Sequence, residues 1–119
     1  MDELATPRLR LRRLTLDDAP DLPIGISGLV KRATLPEPDL GYAFLPRFRA
    51  CGYATESAAA VIRDARATLG IGRILGITTV DNAGSIKVLE NLGLRFDRLI
   101  RLSPDEAEIS LYVSEPAAP

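Results

Sequence analysis

The sequence predicts an α/β (α+β) fold, a sheet flanked by two helices, on three observations. Hydrophobic periodicity gives the element order β-β-β-α-β-α-β-β. A helical pattern, ATESAAAVIRDARATLG (54–70), lies between two β-rich runs, LGYAFL (40–45) and GRILGITTV (72–80), which is the arrangement of a right-handed crossover between parallel strands. The runs LRFDRLIRL (94–102) and AEISLYV (107–113) flank a turn at SPDE (103–106) and read as a closing hairpin.

RLRLRRLT (8–15) alternates Leu9 and Leu11 with Arg8, Arg10 and Arg12, so it reads as a strand with one wet face. LDDAPDLP (16–23) carries Pro20 and Pro23 and reads as a turn. IGISGLVKR (24–32) is a glycine-interrupted strand, ATLPEPD (33–39) a loop, and LGYAFL a strand stopped by Pro46. In the first helix Ala58, Val61, Ile62, Ala65 and Leu69 form one stripe, and Gly70 supplies the stop. The run 72–80 is apolar enough to be buried on both sides. Asp81 or Asn82 can cap a second helix, AGSIKVLENLG, which Gly93 ends. The tail SEPAAP (114–119) reads as frayed.

With 119 residues the chain suits a single domain, 1–119, with a modest core. A net charge of −1 gives no overall attraction to nucleic acid or anionic membrane. The single cysteine, Cys51, excludes an internal disulfide, and the lack of histidine excludes Ser-His and Cys-His catalysis and the usual metal ligand. No metal is expected. The N-terminus has no apolar run of a signal peptide, and no segment reaches membrane-spanning length, so the expected location is cytoplasmic.

The stretch RACGYATES (49–57) points to an anion. A strand ends at Pro46 and a helix begins near Ala54, so main-chain N–H groups from Cys51 through Gly52, Tyr53 and Ala54 to Thr55 have no helical acceptor. Their dipoles add to a partial positive charge. Gly52 lets a ligand approach the backbone, while Arg47 and Arg49 bring full charges able to fork onto a phosphate. A pyrophosphate fits this description; an ordinary strand-to-helix turn is the plainer alternative.

The second motif, DNAGSIKVLENLG (81–93), follows one strand later. Together the two resemble the GNAT superfamily of acetyl-coenzyme A-dependent N-acyltransferases, whose R/Q-x-x-G-x-G/A turn matches Arg49, Gly52 and Ala54 and whose later asparagine matches Asn82. GYATES, the spacing N-x-x-S-x-x-x-L-E-x-x-G and the opening TPRLRLRRLTLDDAP look most like the RimJ/RimL branch, and the resemblance runs from Thr6 to Val113. Two features depart from it. The family's usual two helices and strand after the first strand have no counterpart here, and Ala50 and Cys51 stand where a glycine and a basic or polar residue are usual. Ala50 fits the turn readily if its φ is negative.

The resemblance implies a mostly antiparallel sheet whose central parallel pair, 40–45 and 72–80, splays to admit acetyl-CoA. Pantetheine would pair with backbone groups near Phe44 and Leu45, and the pyrophosphate would sit at Arg47, Arg49 and Ala50 through Thr55. Asn82 and Ser85 would stand beside the thioester, with Ser85 donating to the leaving thiolate in place of the tyrosine many relatives carry where this chain has Leu89. A first-turn capping serine is the plainer reading of Ser85. For the base, Glu37, Asp39 and Glu56 are candidates, although the first two also read as loop charges and Glu56 as a carboxylate favoured by the helix dipole. Tyr42 and Phe44 alternate onto one face as core residues or as the lining of an acceptor channel. The implied activity is transfer of an acetyl group to a protein N-terminus or a small amine. The alternative is a non-catalytic coenzyme A-binding or dimerisation module, and an exposed sheet edge would favour a homodimer.

Overall fold

The computed structural model describes residues 3–12 and 25–114. The expected turn over 16–23, the end of the expected strand 8–15 and the tail beyond Ser114 lie outside them. The first described unit is a hairpin that the sequence reading had as one strand: β1 (Glu3–Ala5) pairs antiparallel with β2 (Arg10–Arg12), joined through a tight turn closed by Thr6 N–H donating to the Leu9 carbonyl at 2.9 Å.

The main sheet has five strands: β3 (Gly25–Val30), β4 (Asp39–Phe44), β5 (Leu75–Thr78), β6 (Arg95–Ile100) and β7 (Ile109–Val113). Their spatial order is β3-β4-β5-β7-β6. The neighbours are antiparallel except β4 and β5. The α-helix α1 (Tyr53–Leu69) crosses between those two, as expected, and α2 (Ala83–Asn91) links β5 to β6. β6 and β7 form the expected hairpin, with β7 inserted next to β5.

Alternation along each strand splits the core between the two sheet faces. On the helix-bearing face Leu40, Ala58, Ile62, Ile74, Leu89, Leu94 and Tyr112 pack together. On the other face Leu75 and Leu111 are covered by Leu35 from the loop before β4. The small residues Ala58, Ala60 and Ala65 on α1 are all buried, so the helix lies close to the strands beneath it. Leu69, expected on that stripe, is instead 71% exposed, because the helix ends there in the left-handed cap of Gly70 (φ 65°). α2 approaches β5 more closely still: a Cβ on Gly76 would lie 2.6 Å from a Leu89 methyl. Only glycine allows that contact.

β5 is shorter than the run 72–80 suggests. After Thr78 the chain turns into the cap of α2, with Asn82 N–H donating to the Thr79 carbonyl at 3.2 Å and Val80 exposed. At the other end Ser114, read as frayed, is buried. Its N–H donates to the Ile74 carbonyl at 2.9 Å, and its Oγ accepts from Ile74 N–H at 2.8 Å.

Candidate active site

β4 and β5 share a single bridge, Asp39 with Leu75, supported by Leu75 N–H donating to the Pro38 carbonyl at 2.9 Å. Beyond it β4 continues to Phe44 and β5 to Thr78 without a further pair, so the strands part toward their C-terminal ends. The gap opens a cleft of about 200 Å³. Leu40, Tyr42, Ser85 and Leu89 line it from the helix-bearing side, and Arg32, Asp39 and Ile77 from the opposite side. The cleft therefore passes through the plane of the sheet.

Two polar arrangements face it. On the helix side the Tyr42 hydroxyl donates to Ser85 Oγ at 3.1 Å. Ser85 is held in place by Asn82, the N-cap of α2, whose Oδ1 accepts from Ser85 N–H at 3.1 Å. On the other side Asp39, 1% exposed, accepts from Arg32 Nε at 2.9 Å. Asp39 is thus no loop charge. It opens β4, and a carboxylate so buried requires its cation.

The turn that follows β4 behaves differently from a plain connection. Pro46–Phe48 form a short 3-10 helix, with Phe48 N–H donating to the carbonyl of the exposed Leu45 at 2.9 Å. The chain then passes through two left-handed residues, Ala50 (φ 60°) and Gly52 (φ 82°). Ala50 does not meet the condition of a negative φ under which it would fit readily: a non-glycine residue is held in the left-handed region, at a cost of about 1–2 kcal/mol. Gly52 is the N-cap of α1 and offers no side-chain cap; the first amide of the helix with an internal acceptor is Glu56, donating to the Gly52 carbonyl at 3.0 Å. Among the described residues, the amides of Cys51, Gly52, Tyr53, Ala54 and Thr55 meet no protein acceptor. Cys51 is exposed, its Sγ 3.4 Å from the Arg49 carbonyl.

The basic residues here are partly engaged. Arg49 folds back so that its Nε donates to the Phe44 carbonyl at 3.1 Å, which occupies one of the β4 backbone groups expected to face pantetheine. Arg47 stacks over Phe48 at 5.0 Å. A third arginine, absent from the expected set, arrives from the N-terminal hairpin. Arg8 Nε donates to Glu56 Oε1 at 2.7 Å, its guanidinium lies 4.6 Å from the Tyr53 ring centre, and a Cβ on Gly52 would lie 3.1 Å from its Nη2. The Glu56 carboxylate also accepts from the Thr6 hydroxyl and from Arg8 N–H. These bonds, Thr6 first and then Arg8, hold the Glu56 carboxyl below its usual range and raise the Arg8 guanidinium. A carboxylate so engaged is a poor base, which removes Glu56 from the candidates.

The structure thus groups Ser85 and Asn82 with the cleft, and groups residues 44–55 at the end of β4 and the mouth of α1. No residue of that turn lines the cleft. Tyr42, read as core or channel lining, and Asp39, a candidate base, complete the cleft together with Arg32, which was not in the expected set. The Arg32–Asp39 pair spans a proline-containing loop, and Arg8 meets Glu56 from 48 positions away.

Fold and site define the class: a two-layer α/β structure opened between its central parallel strands, with a hydroxyl pair inside the opening and free amides at its end. A family model described as the acetyltransferase (GNAT) domain matches residues 20–95, and the chain belongs to the GNAT acetyltransferase family. Similar solved structures include an acetyltransferase from Agrobacterium tumefaciens str. C58, at 27% identity and TM-score 0.67, covering 77% of this chain and 53% of that one. The ribosomal-protein-S5-alanine acetyltransferase from Vibrio fischeri is similar at 18% identity and TM-score 0.66, over 79% and 55% of the two chains. RimJ from Mycobacterium smegmatis, in complex with CoA-disulfide, is similar at 23% identity and TM-score 0.61, over 72% and 43%. These neighbours share the fold of this chain. The chain spans about half the length of each of them. No curated protein matches it.

Proposed function

We propose that this chain is an acetyl-CoA-dependent N-acetyltransferase acting in the cytoplasm on a protein N-terminus or a small-molecule amine. The observation that carries the reading is the parting of β4 and β5 after one bridge, with Ser85 in the gap and unpaired amides at its end. The RimJ relative holds a coenzyme A derivative, which supports the same ligand here.

The amides of Cys51–Thr55, with the α1 dipole behind them, would bind the pyrophosphate. Arg8, Arg47 and Arg49 supply positive charge at that mouth. The unladdered edge of β4 would pair with pantetheine as an added strand does. That pairing would put the thioester in the cleft, where a β4 amide could polarise its carbonyl. The amine would reach it from the Arg32–Asp39 side and lose its proton to solvent, since the Asp39 carboxylate is already held by Arg32. Ser85 would donate to the departing sulfur.

A second reading, a coenzyme A-binding module without turnover, is favoured by the coverage of about half of each relative. As a homodimer, such a module would use the β3 edge, where Ile26 and Val30 are exposed.

The test is to incubate the full chain with acetyl-CoA and a panel of free-N-terminus peptides and small amines, following binding by calorimetry and thiol release by absorbance. Binding with release is the expected result; binding without release favours the module. Gly52→Trp, which fills the cradle, should abolish both, and binding that survives it would show the phosphate site to be elsewhere.

A further inference from the structure

We propose that Tyr42 is a positioning residue for Ser85: its phenol turns the Ser85 hydroxyl proton into the cleft, so that Ser85 donates to the coenzyme's sulfur. This rests on the acetyl-CoA reading above. A serine hydroxyl has one proton and two acceptor lone pairs, and its rotor turns to suit its neighbours. In the first turn of a helix it would ordinarily bond a nearby backbone group. Here Tyr42 Oη fills one lone pair of Ser85 Oγ at 3.1 Å, and among the described residues Ser85 Oγ has no other partner. The phenol is the more acidic hydroxyl and so takes the donor role, leaving the serine proton to point away from it.

The geometry is fixed from both sides. The Tyr42 ring packs against the core cluster containing Leu40 and Leu89, on the face of β4 that looks toward α2. The Ser85 backbone is bonded to Asn82 Oδ1. Leu89, one turn further along α2, brings no polar group, so among the described residues Tyr42 and Ser85 are the hydroxyls of that wall. The charged groups lining the cleft, Arg32 and Asp39, lie on its opposite side. Donation from Tyr42 also polarises Ser85, which strengthens the bond it gives.

In the transfer, the amine nitrogen bonds to the thioester carbon. The C–S bond breaks with its electron pair going to sulfur, and the proton lost by nitrogen reaches sulfur through solvent. Ser85 keeps its proton throughout and hydrogen-bonds the charge as it develops on sulfur. Tyr42 stays a neutral phenol.

The test needs no acceptor. Coenzyme A is bound to the full chain, binding is verified by calorimetry, and the thiol is titrated by the ultraviolet absorbance of its thiolate. Hydrogen bonding to the charged form lowers a pKa, so bound thiol should ionise about one pH unit below free coenzyme A. Ser85→Ala should return it to the free value. Tyr42→Phe, which keeps the ring, should remove most of the shift, and the double variant should match Ser85→Ala alone. At a pH below the thiol's pKa, binding should weaken by less than about ten-fold in all three, since a neutral hydrogen bond contributes little to affinity for the thiol form. A ring-fluorinated tyrosine at position 42, a stronger donor that preserves packing, should lower the thiol pKa further, and it replaces Tyr42→Phe if that variant does not fold. A thiol that titrates as in wild type after either change at position 42, or shifts from Tyr42→Phe and Ser85→Ala that add independently, would overturn the proposal while leaving the coenzyme site intact. Failure of wild type to bind coenzyme A would overturn both.

Discussion

Glu56 shows how one side chain joins distant parts of this chain. It lies in the first turn of α1, where a carboxylate is favoured by the helix dipole alone. Its bonds to Thr6 and Arg8 add a second role, fastening the β1–β2 hairpin beside the mouth of the helix. The carboxyl is held below its usual range, so the stability it contributes is complete above the ordinary carboxylate pKa and is lost as pH falls through the lowered one. Carboxyl-carbon NMR should show Glu56 titrating below the ordinary glutamate range. Glu56→Gln should remove an acid-side step from a plot of melting temperature against pH; an unchanged plot would mean that the pair does not form in solution. Asp39 and Arg32 make a comparable link on one side of the cleft, with the carboxylate buried and the guanidinium partly exposed.

The contact between α2 and β5 fixes where Ser85 stands, and it depends on Gly76. The Leu89 methyls sit where a Cβ on Gly76 would be, so Gly76→Ala must push α2 outward or distort β5. Overpacking of this kind costs about 1–3 kcal/mol. Urea denaturation should show that loss, and the displacement of α2 should weaken thiol release more than coenzyme binding, because the amide cradle belongs to α1. Equal loss of both would mean that α2 and the cradle move as one unit. α1 has the opposite design: Ala58, Ala60 and Ala65 let it lie close to the sheet without a glycine in its buried stripe.

At the scale of the whole molecule, the five-stranded sheet is zipped on both sides of one seam. β3–β4 and β5–β7 are laddered along their lengths, whereas β4–β5 is joined once. Hydrogen exchange should therefore be faster along the β4–β5 seam than in β7. On addition of acetyl-CoA, exchange should slow at Cys51–Thr55 and along β4, and stay the same in β6 and β7. Uniform slowing over the whole sheet would instead indicate general stabilisation without a seated ligand.

The sequence by itself determined the two helices, the parallel crossover, the closing hairpin and the family, because periodicity, glycine stops and the two motifs are local signals. Asn82 as a cap and Gly52 at a helix mouth were readable for the same reason. Only the tertiary structure decided that Asp39 is a buried partner of Arg32, that Arg8 belongs beside the α1 mouth, that Ser114 completes a strand pairing and that Tyr42 meets Ser85. Each of those depends on which residues the sheet order and the helix packing bring within about 3 Å, a distance that hydrogen bonding requires and that sequence separation does not reveal.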